Sequence, residues 1–245
     1  PSGERPAEYH DSLMSEAGAG PFDLVPARGG PAIIAHGAGN SAAGVRDVVS
    51  AGADYLEVDL WLRDGQFEVR HERRVRWLPI LFEKWYLRRL PRGNYGLAEL
   101  MRESAGQGAG LFLDLKDGGA AAAALLRRIL TISPHPERIV ASSQQWRALR
   151  AINEMTPEVE AFYSIDVHAK LDLFLSVADR DTRPRGVSCR HSLLTERIVK
   201  KLHERGLLVV AWTVDDLERA RELVAWGVDG LTTHRVDEMR REFVL

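Results

Sequence analysis

From Pro31 onward, short runs rich in β-branched residues alternate with stretches of helical periodicity. That rhythm is the signature of βαβ units, and so of a parallel sheet covered by helices. Strands are expected at 32–36, 55–60, 111–116, 138–142, 160–165, 186–189, 207–213 and 228–232. Helices are expected between them, at 42–51, 97–105, 120–132, 144–155, 167–178, 194–204 and 216–225. Gly52, Gly206 and Gly227 stand where helix C-caps belong, and Asp215 or Asp216 stands where an N-cap belongs. Eight parallel strands with intervening helices close into a barrel more readily than they stay open. The 245 residues suit one α/β domain, a (β/α)8 TIM barrel, a fold that commonly takes ~250 residues.

One extra run, 67–71, does not fit the eight. It follows the second strand too closely for a crossover helix, and Asp64-Gly65 before it is a hairpin-turn pair. It reads as a β-hairpin extension after strand two that carries His71 back towards Glu57 and Asp59. A slip of one residue in that register would change the face His71 occupies. Residues 1–30, rich in Gly, Pro and Ala, read as an N-terminal arm ahead of a barrel domain over 31–245.

Composition excludes several classes. One cysteine, Cys189, forbids an internal disulfide. Thirty-three Lys and Arg against thirty-five Asp and Glu give no reason to expect nucleic acid as a partner. No apolar run reaches the ~18 residues that span a bilayer, and no signal peptide is visible. The expected location is therefore cytoplasmic or membrane-peripheral, with secretion left open because the chain starts at Pro1. There is no phosphate-binding glycine loop, no nucleophile elbow and no Cys/His zinc spacing.

A barrel places its active site at the C-terminal ends of its strands, and these ends are polar. His36 ends the first strand, Glu57 and Asp59 lie near the end of the second, and Asp114 and Lys116 lie on the third. Residues two apart share a strand face, so each pair points one way. Carboxylates among Leu and Val are costly to bury unless they are paired or hold a cation. The plain alternative is a set of core salt bridges, such as Lys116 with Glu57. Three carboxylates converging at strand ends instead suit a hard divalent cation, Mg2+ or Ca2+. The two histidines bracket them.

Ordered motifs spread over about 31–240 carry a resemblance. They are Ile33-Ile34-Ala35-His36, the run 52–60 with Glu57-Val58-Asp59, Asp64-Gly65, Val69-Arg70-His71-Glu72, Leu113-Asp114-Leu115-Lys116, Ala211-Trp212-Thr213-Val214-Asp215 and the run 227–233. Together they resemble the glycerophosphodiester phosphodiesterase family. The resemblance implies metal-dependent hydrolysis of glycerophosphodiesters to an alcohol and glycerol phosphate. It implies His36 and His71 as general acid and base, and Glu57, Asp59 and Asp114 as metal ligands, the last where the family more often has Glu. It further implies Lys116 at the phosphate and Trp212 in the pocket wall. The family's Arg after the first histidine is Gly37 here. Its Glu-Asn-Thr stretch is shortened to Gly39-Asn40-Ser41, with Asn40 expected to replace part of it at the substrate.

That short loop is similar to the sphingomyelinase D-like branch of the superfamily. Two further readings follow: a phospholipase D-like or lyase activity on lysophospholipids or sphingolipids, and a weakened barrel that only binds diesters or lipids. Arg70, Arg73, Arg190 and His191 are candidate substitutes for the missing arginine, Ser142 and Ser143 are candidate phosphate or helix-start residues, Tyr163 reads as core or pocket wall, and His234 as simply exposed. Residues 73–92 interleave aromatic and apolar side chains with seven Lys or Arg. They read as a flap over the mouth, as a peripheral membrane contact on anionic lipid, or as a dimer contact; the oligomeric state is left open.

Overall fold

The computed structural model describes residues 30–75, 78, 80–83, 86–89, 96–105, 108–117, 119–131, 133, 136–177 and 184–244. The arm expected over 1–30 lies outside them but for Gly30, as do Trp77 and Trp85 of the basic-aromatic segment. In chain order the strands are β1 (Ala32–Ala35), β2 (Tyr55–Arg63), β3 (Gln66–Val69), β4 (Arg73–Arg74), β5 (Ile80–Glu83), β6 (Tyr86–Arg89), β7 (Gly110–Leu115), β8 (Ile139–Ser143), β9 (Glu160–Ile165), β10 (Gly186–Arg190), β11 (Leu208–Trp212) and β12 (Gly230–Thr233). The helices are α1 (Ala42–Ser50), α2 (Leu97–Ala105), α3 (Gly119–Leu130), α4 (Trp146–Met155), α5 (His168–Val177), α6 (Glu196–His203), α7 (Leu217–Ala225) and α8 (Val236–Phe243).

Eight parallel strands run in the order β1-β12-β11-β10-β9-β8-β7-β2, and β2 pairs back with β1, so the barrel is closed. Each expected strand is present within two residues of its expected ends, except that β2 runs three residues further, to Arg63. The last helix, α8, was not foreseen. Asp216 caps α7 by accepting from the Arg219 N–H, and Gly52 and Gly227 follow their helices in the left-handed region. No helix among the described residues is long and apolar enough to cross a membrane.

Alternation along the strands sorts side chains into two compartments. Ala32, Ile34, Phe112, Val140, Phe162 and Val210 point into the barrel and form a small inner cluster. Their neighbours of opposite parity, such as Ile33, Val58, Leu113 and Val209, join the larger core beneath the helices. Tyr163 belongs to that outer set: it is buried against Trp146 and Phe174, so it is core and not pocket wall. Cys189 is also outside the barrel, and burial pushes its thiol up to about 12, which leaves no thiolate for chemistry.

The return strand β3 is antiparallel to β2, with Leu60 opposite Val69 and Arg63 opposite Gln66. It ends at Val69, two residues short of the expected run. Continuing its register would set His71 opposite Val58, on the face away from Glu57 and Asp59. Because the ladder stops first, His71 is freed from strand alternation and turns to the mouth.

The ends of the chain's barrel are latched by one ion pair. Asp54, just before β2, accepts the Ile33 N–H of β1 at 2.8 Å and pairs with Arg240 of α8 at 3.0 Å. Both side chains are largely buried. Removing one partner of such a pair strands the other in a low-dielectric site. Arg240→Ala should therefore lower the unfolding free energy by about 3 kcal/mol in urea titration; a loss within experimental error of zero would show that the latch is not structural.

Candidate active site

Each inward-facing row of the barrel changes from apolar at the floor to polar at the mouth. Ile34 is followed by His36, Tyr55 by Glu57 and Asp59, and Phe112 by Asp114 and Lys116. Val140 is followed by Ser142, Phe162 by Ser164, and Val210 by Trp212. The result is a cavity of about 330 Å³ whose walls include His36, Glu57, His71, Asp114, Lys116 and Trp212. Ser142, Ser164, Ser188 and Thr232 also line it. The last three were missed in the sequence; the available signal was their parity, each two residues beyond an inward floor position.

At the centre, one carboxylate oxygen from each of Glu57, Asp59 and Asp114 lies within 4.8 Å of the others. Lys116 Nζ is 2.6 Å from Asp59 and also pairs with Asp114, and Ser142 donates to Asp114 at 3.3 Å. The plain alternative of core salt bridges, with Lys116 on Glu57 as its example, is met in part: Lys116 does pair with carboxylates, but with the two aspartates. One ammonium cannot balance three carboxylates. Burial, then the neighbouring Asp59 and Asp114, holds the Glu57 carboxyl well above the usual range. Burial likewise raises Asp114, against the pull of Lys116. Burial opposes the charge on Lys116, but Asp114, Asp59 and Glu57 outweigh it and keep the ammonium protonated. A compact, all-oxygen cluster with surplus negative charge is what a hard divalent cation requires.

His36 flanks the cluster, its Nε2 4.0 Å from Glu57 and its Nδ1 3.3 Å from the Thr213 hydroxyl. Burial first, and then the nearby His234, lowers its pKa to about 4, so the ring is neutral at neutral pH. His234 is more than an exposed residue: its ring centroid is 4.5 Å from that of His36, and its Nδ1 is 2.8 Å from Asp215. Trp212 is fixed by its indole N–H, which donates to the Ser188 carbonyl at 2.8 Å.

The loop after β1 explains the departures from the family pattern. Gly37 has φ of +64°, a conformation that suits glycine and not arginine, and its N–H donates to Glu57 at 2.6 Å. A Cβ on Gly39 would stand 2.3 Å from the Val58 side chain, so only glycine lets the loop pass this close to β2. That approach delivers Asn40, whose amide donates to Asp59 at 2.8 Å while its oxygen accepts the Asp59 N–H at 3.1 Å. Both ends of the Asn40 side chain are engaged with Asp59, one with its carboxylate and one with its backbone N–H. Among the candidate cations, Arg70 is committed to Glu68 and the Glu72 carbonyl, and Arg73 lies 6.0 Å from the Trp61 ring. Arg190 ends β10 beside Trp212 at an inward parity. Ser143 bonds the Leu115 carbonyl and the Gln145 N–H, which makes it a helix-start residue, unlike Ser142.

The model of the Glycerophosphoryl diester phosphodiesterase family matches residues 114–238, just over half of the chain. The chain belongs to the glycerophosphoryl diester phosphodiesterase family. No curated protein matches its sequence. Solved structures repeat the fold. A Silicibacter pomeroyi protein superposes at TM-score 0.73 with 19% identity, over 89% of this chain and 94% of that one. An Oleispira antarctica phosphodiesterase in complex with the product sn-glycerol-3-phosphate does so at 0.70 and 19%, over 86% and 96%. A Parabacteroides distasonis glycerophosphodiester phosphodiesterase does so at 0.70 and 19%, over 88% and 97%.

If Asn40 holds Asp59 in place, Asn40→Ala should weaken divalent-cation affinity about 10- to 100-fold by isothermal titration calorimetry. Unchanged affinity would return Asn40 to the substrate side.

Proposed function

We propose that this family member is a divalent-metal-dependent hydrolase of glycerophosphodiesters in which Glu57, Asp59 and Asp114 hold the ion and His36 and His71 move the protons. The observation that carries the reading is the meeting of three buried carboxylates, one lysine and two imidazoles around a single cavity at the C-terminal end of the barrel. The oxygen-only donor set favours Mg2+ or Ca2+. When bound, such an ion supplies Lewis-acid polarisation of a phosphoryl oxygen.

The remaining work falls on side chains. Lys116, paired with Asp59 and Asp114, offers a positive charge for the phosphoryl group. His36, neutral and oriented by the Thr213 hydroxyl, is suited to accept a proton from a water that attacks phosphorus as the phosphorus–oxygen bond to the leaving alcohol breaks. His71, which lines the same cavity, is then the donor to the leaving alkoxide. Trp212 forms part of the cavity wall, held by its bond to the Ser188 carbonyl. The Oleispira antarctica enzyme's product, sn-glycerol-3-phosphate, supports the same product here.

With Mg2+ or Ca2+ added, the protein should cleave at least one of a panel of glycerophosphodiesters bearing choline, ethanolamine, glycerol or inositol. A chelator should abolish turnover and the ion should restore it. His36→Ala and His71→Ala should each reduce kcat by ~10²–10⁴, while calorimetry finds metal binding intact. Phosphorus NMR of the products reads the chemistry directly: a phosphomonoester is expected, a persistent cyclic phosphate would mean a lyase, and binding without cleavage would mean a non-catalytic barrel.

A further inference from the structure

The insertion that follows His71 forms a three-stranded antiparallel sheet, β4-β5-β6, separate from the barrel. Directly paired residues share a face. Arg73 pairs with Phe82, Phe82 with Leu87, and Ile80 with Arg89. One face of this sheet therefore carries Ile80, Phe82 and Leu87 with Arg89 at one margin and Arg73 at the other, the Arg73 guanidinium 6.0 Å from the Trp61 ring of β2, and no carboxylate among its described residues. Phe82 is 44% exposed and Leu87 is 67% exposed, and both arginines are exposed.

The other face is anchored. Leu81 is 1% exposed. Arg74 donates to the Leu78 carbonyl and pairs with Glu68 of β3 at 3.5 Å. The Tyr86 hydroxyl is 3.5 Å from Glu72, whose carbonyl also accepts from Arg70. The sheet is thus tied to the return strand by one face and leaves its apolar face to solvent. Side chains such as Phe82 and Leu87 opposite each other on a strand pair would ordinarily be covered.

We infer that this face is a docking surface for an anionic lipid bilayer. Apolar side chains ringed by guanidinium groups match the boundary between acyl chains and lipid phosphates, where Phe and Leu enter the hydrocarbon edge and Arg binds phosphate. A folded protein partner of this apolar face would have to meet the two arginines with acids; a bilayer supplies both chemistries in one surface. β4 begins two residues after His71, so docking would bring the cavity mouth next to lipid headgroups. The inference concerns attachment and stands independently of the proposed hydrolysis.

The full chain should be sedimented with phosphatidylcholine vesicles, with and without phosphatidylglycerol, beside the double variant Phe82→Asp/Leu87→Asp and the single variant Arg89→Glu. The parent should pellet with the anionic vesicles and much less with the neutral ones, losing binding as salt rises. Both variants should bind roughly tenfold or more weakly, with circular dichroism and turnover of a water-soluble diester retained. A parent that never pellets overturns the inference, as do variants that pellet like the parent. So does a parent dimer that the double variant converts to monomer without any vesicle binding, since the face would then cover a second copy.

Discussion

Three carboxylates sit inside the mouth of this barrel with a single ammonium among them, and the surrounding structure is arranged around that imbalance. Glu57 is 6% and Asp59 1% exposed. Charges this far from water are strongly unfavourable unless each finds a partner. Lys116 satisfies part of the need by pairing with Asp59 and Asp114. The rest appears as carboxyls held above their ordinary range, Glu57 and Asp114 foremost. A divalent cation would reverse that tendency by favouring the ionised forms. The surplus of acids over cations that raises these carboxyls is also what would let the cluster hold a divalent ion.

The fold supplies this arrangement through strand parity. Inward positions alternate with positions under the helices, so a two-residue spacing such as Glu57 and Asp59 places both acids in the lumen and leaves Val58 in the outer core. The register between β2 and β7 then sets Asp59 directly beside Asp114. Backbone and side-chain contacts fix the acids from the far side: Gly37 holds Glu57, and Asn40 holds Asp59 from both ends. The loop after β1, with Gly37 following His36, thereby braces both acids of β2. Lys116, His36 and His71 line the cavity, His234 stands against the His36 ring, and Arg190 ends β10 beside Trp212.

Much of the fold was legible in the sequence because burial on both faces of parallel strands forces continuous apolar runs, and these punctuate the chain clearly. The candidate metal ligands were legible for the converse reason: carboxylates interrupt those runs at a fixed spacing. What escaped were residues whose chemistry is unremarkable until their direction is known. Ser164, Ser188 and Thr232 are ordinary strand residues except for their parity, and His234 acquires a neighbour only when β12 is brought beside β1. Asn40 was visible as a candidate, but its role turned on which atom it met.

The sequence by itself determined the parallel barrel, its order of strands and helices, and the acids and histidines at the strand ends, because local periodicity and the cost of buried charge are written in neighbouring residues. Only the tertiary structure decided that β3 stops before His71, that Lys116 rests on the aspartates in preference to Glu57, and that Phe82 and Leu87 share an uncovered face. Those outcomes depend on register and on contacts between segments distant in the chain, which no local pattern encodes.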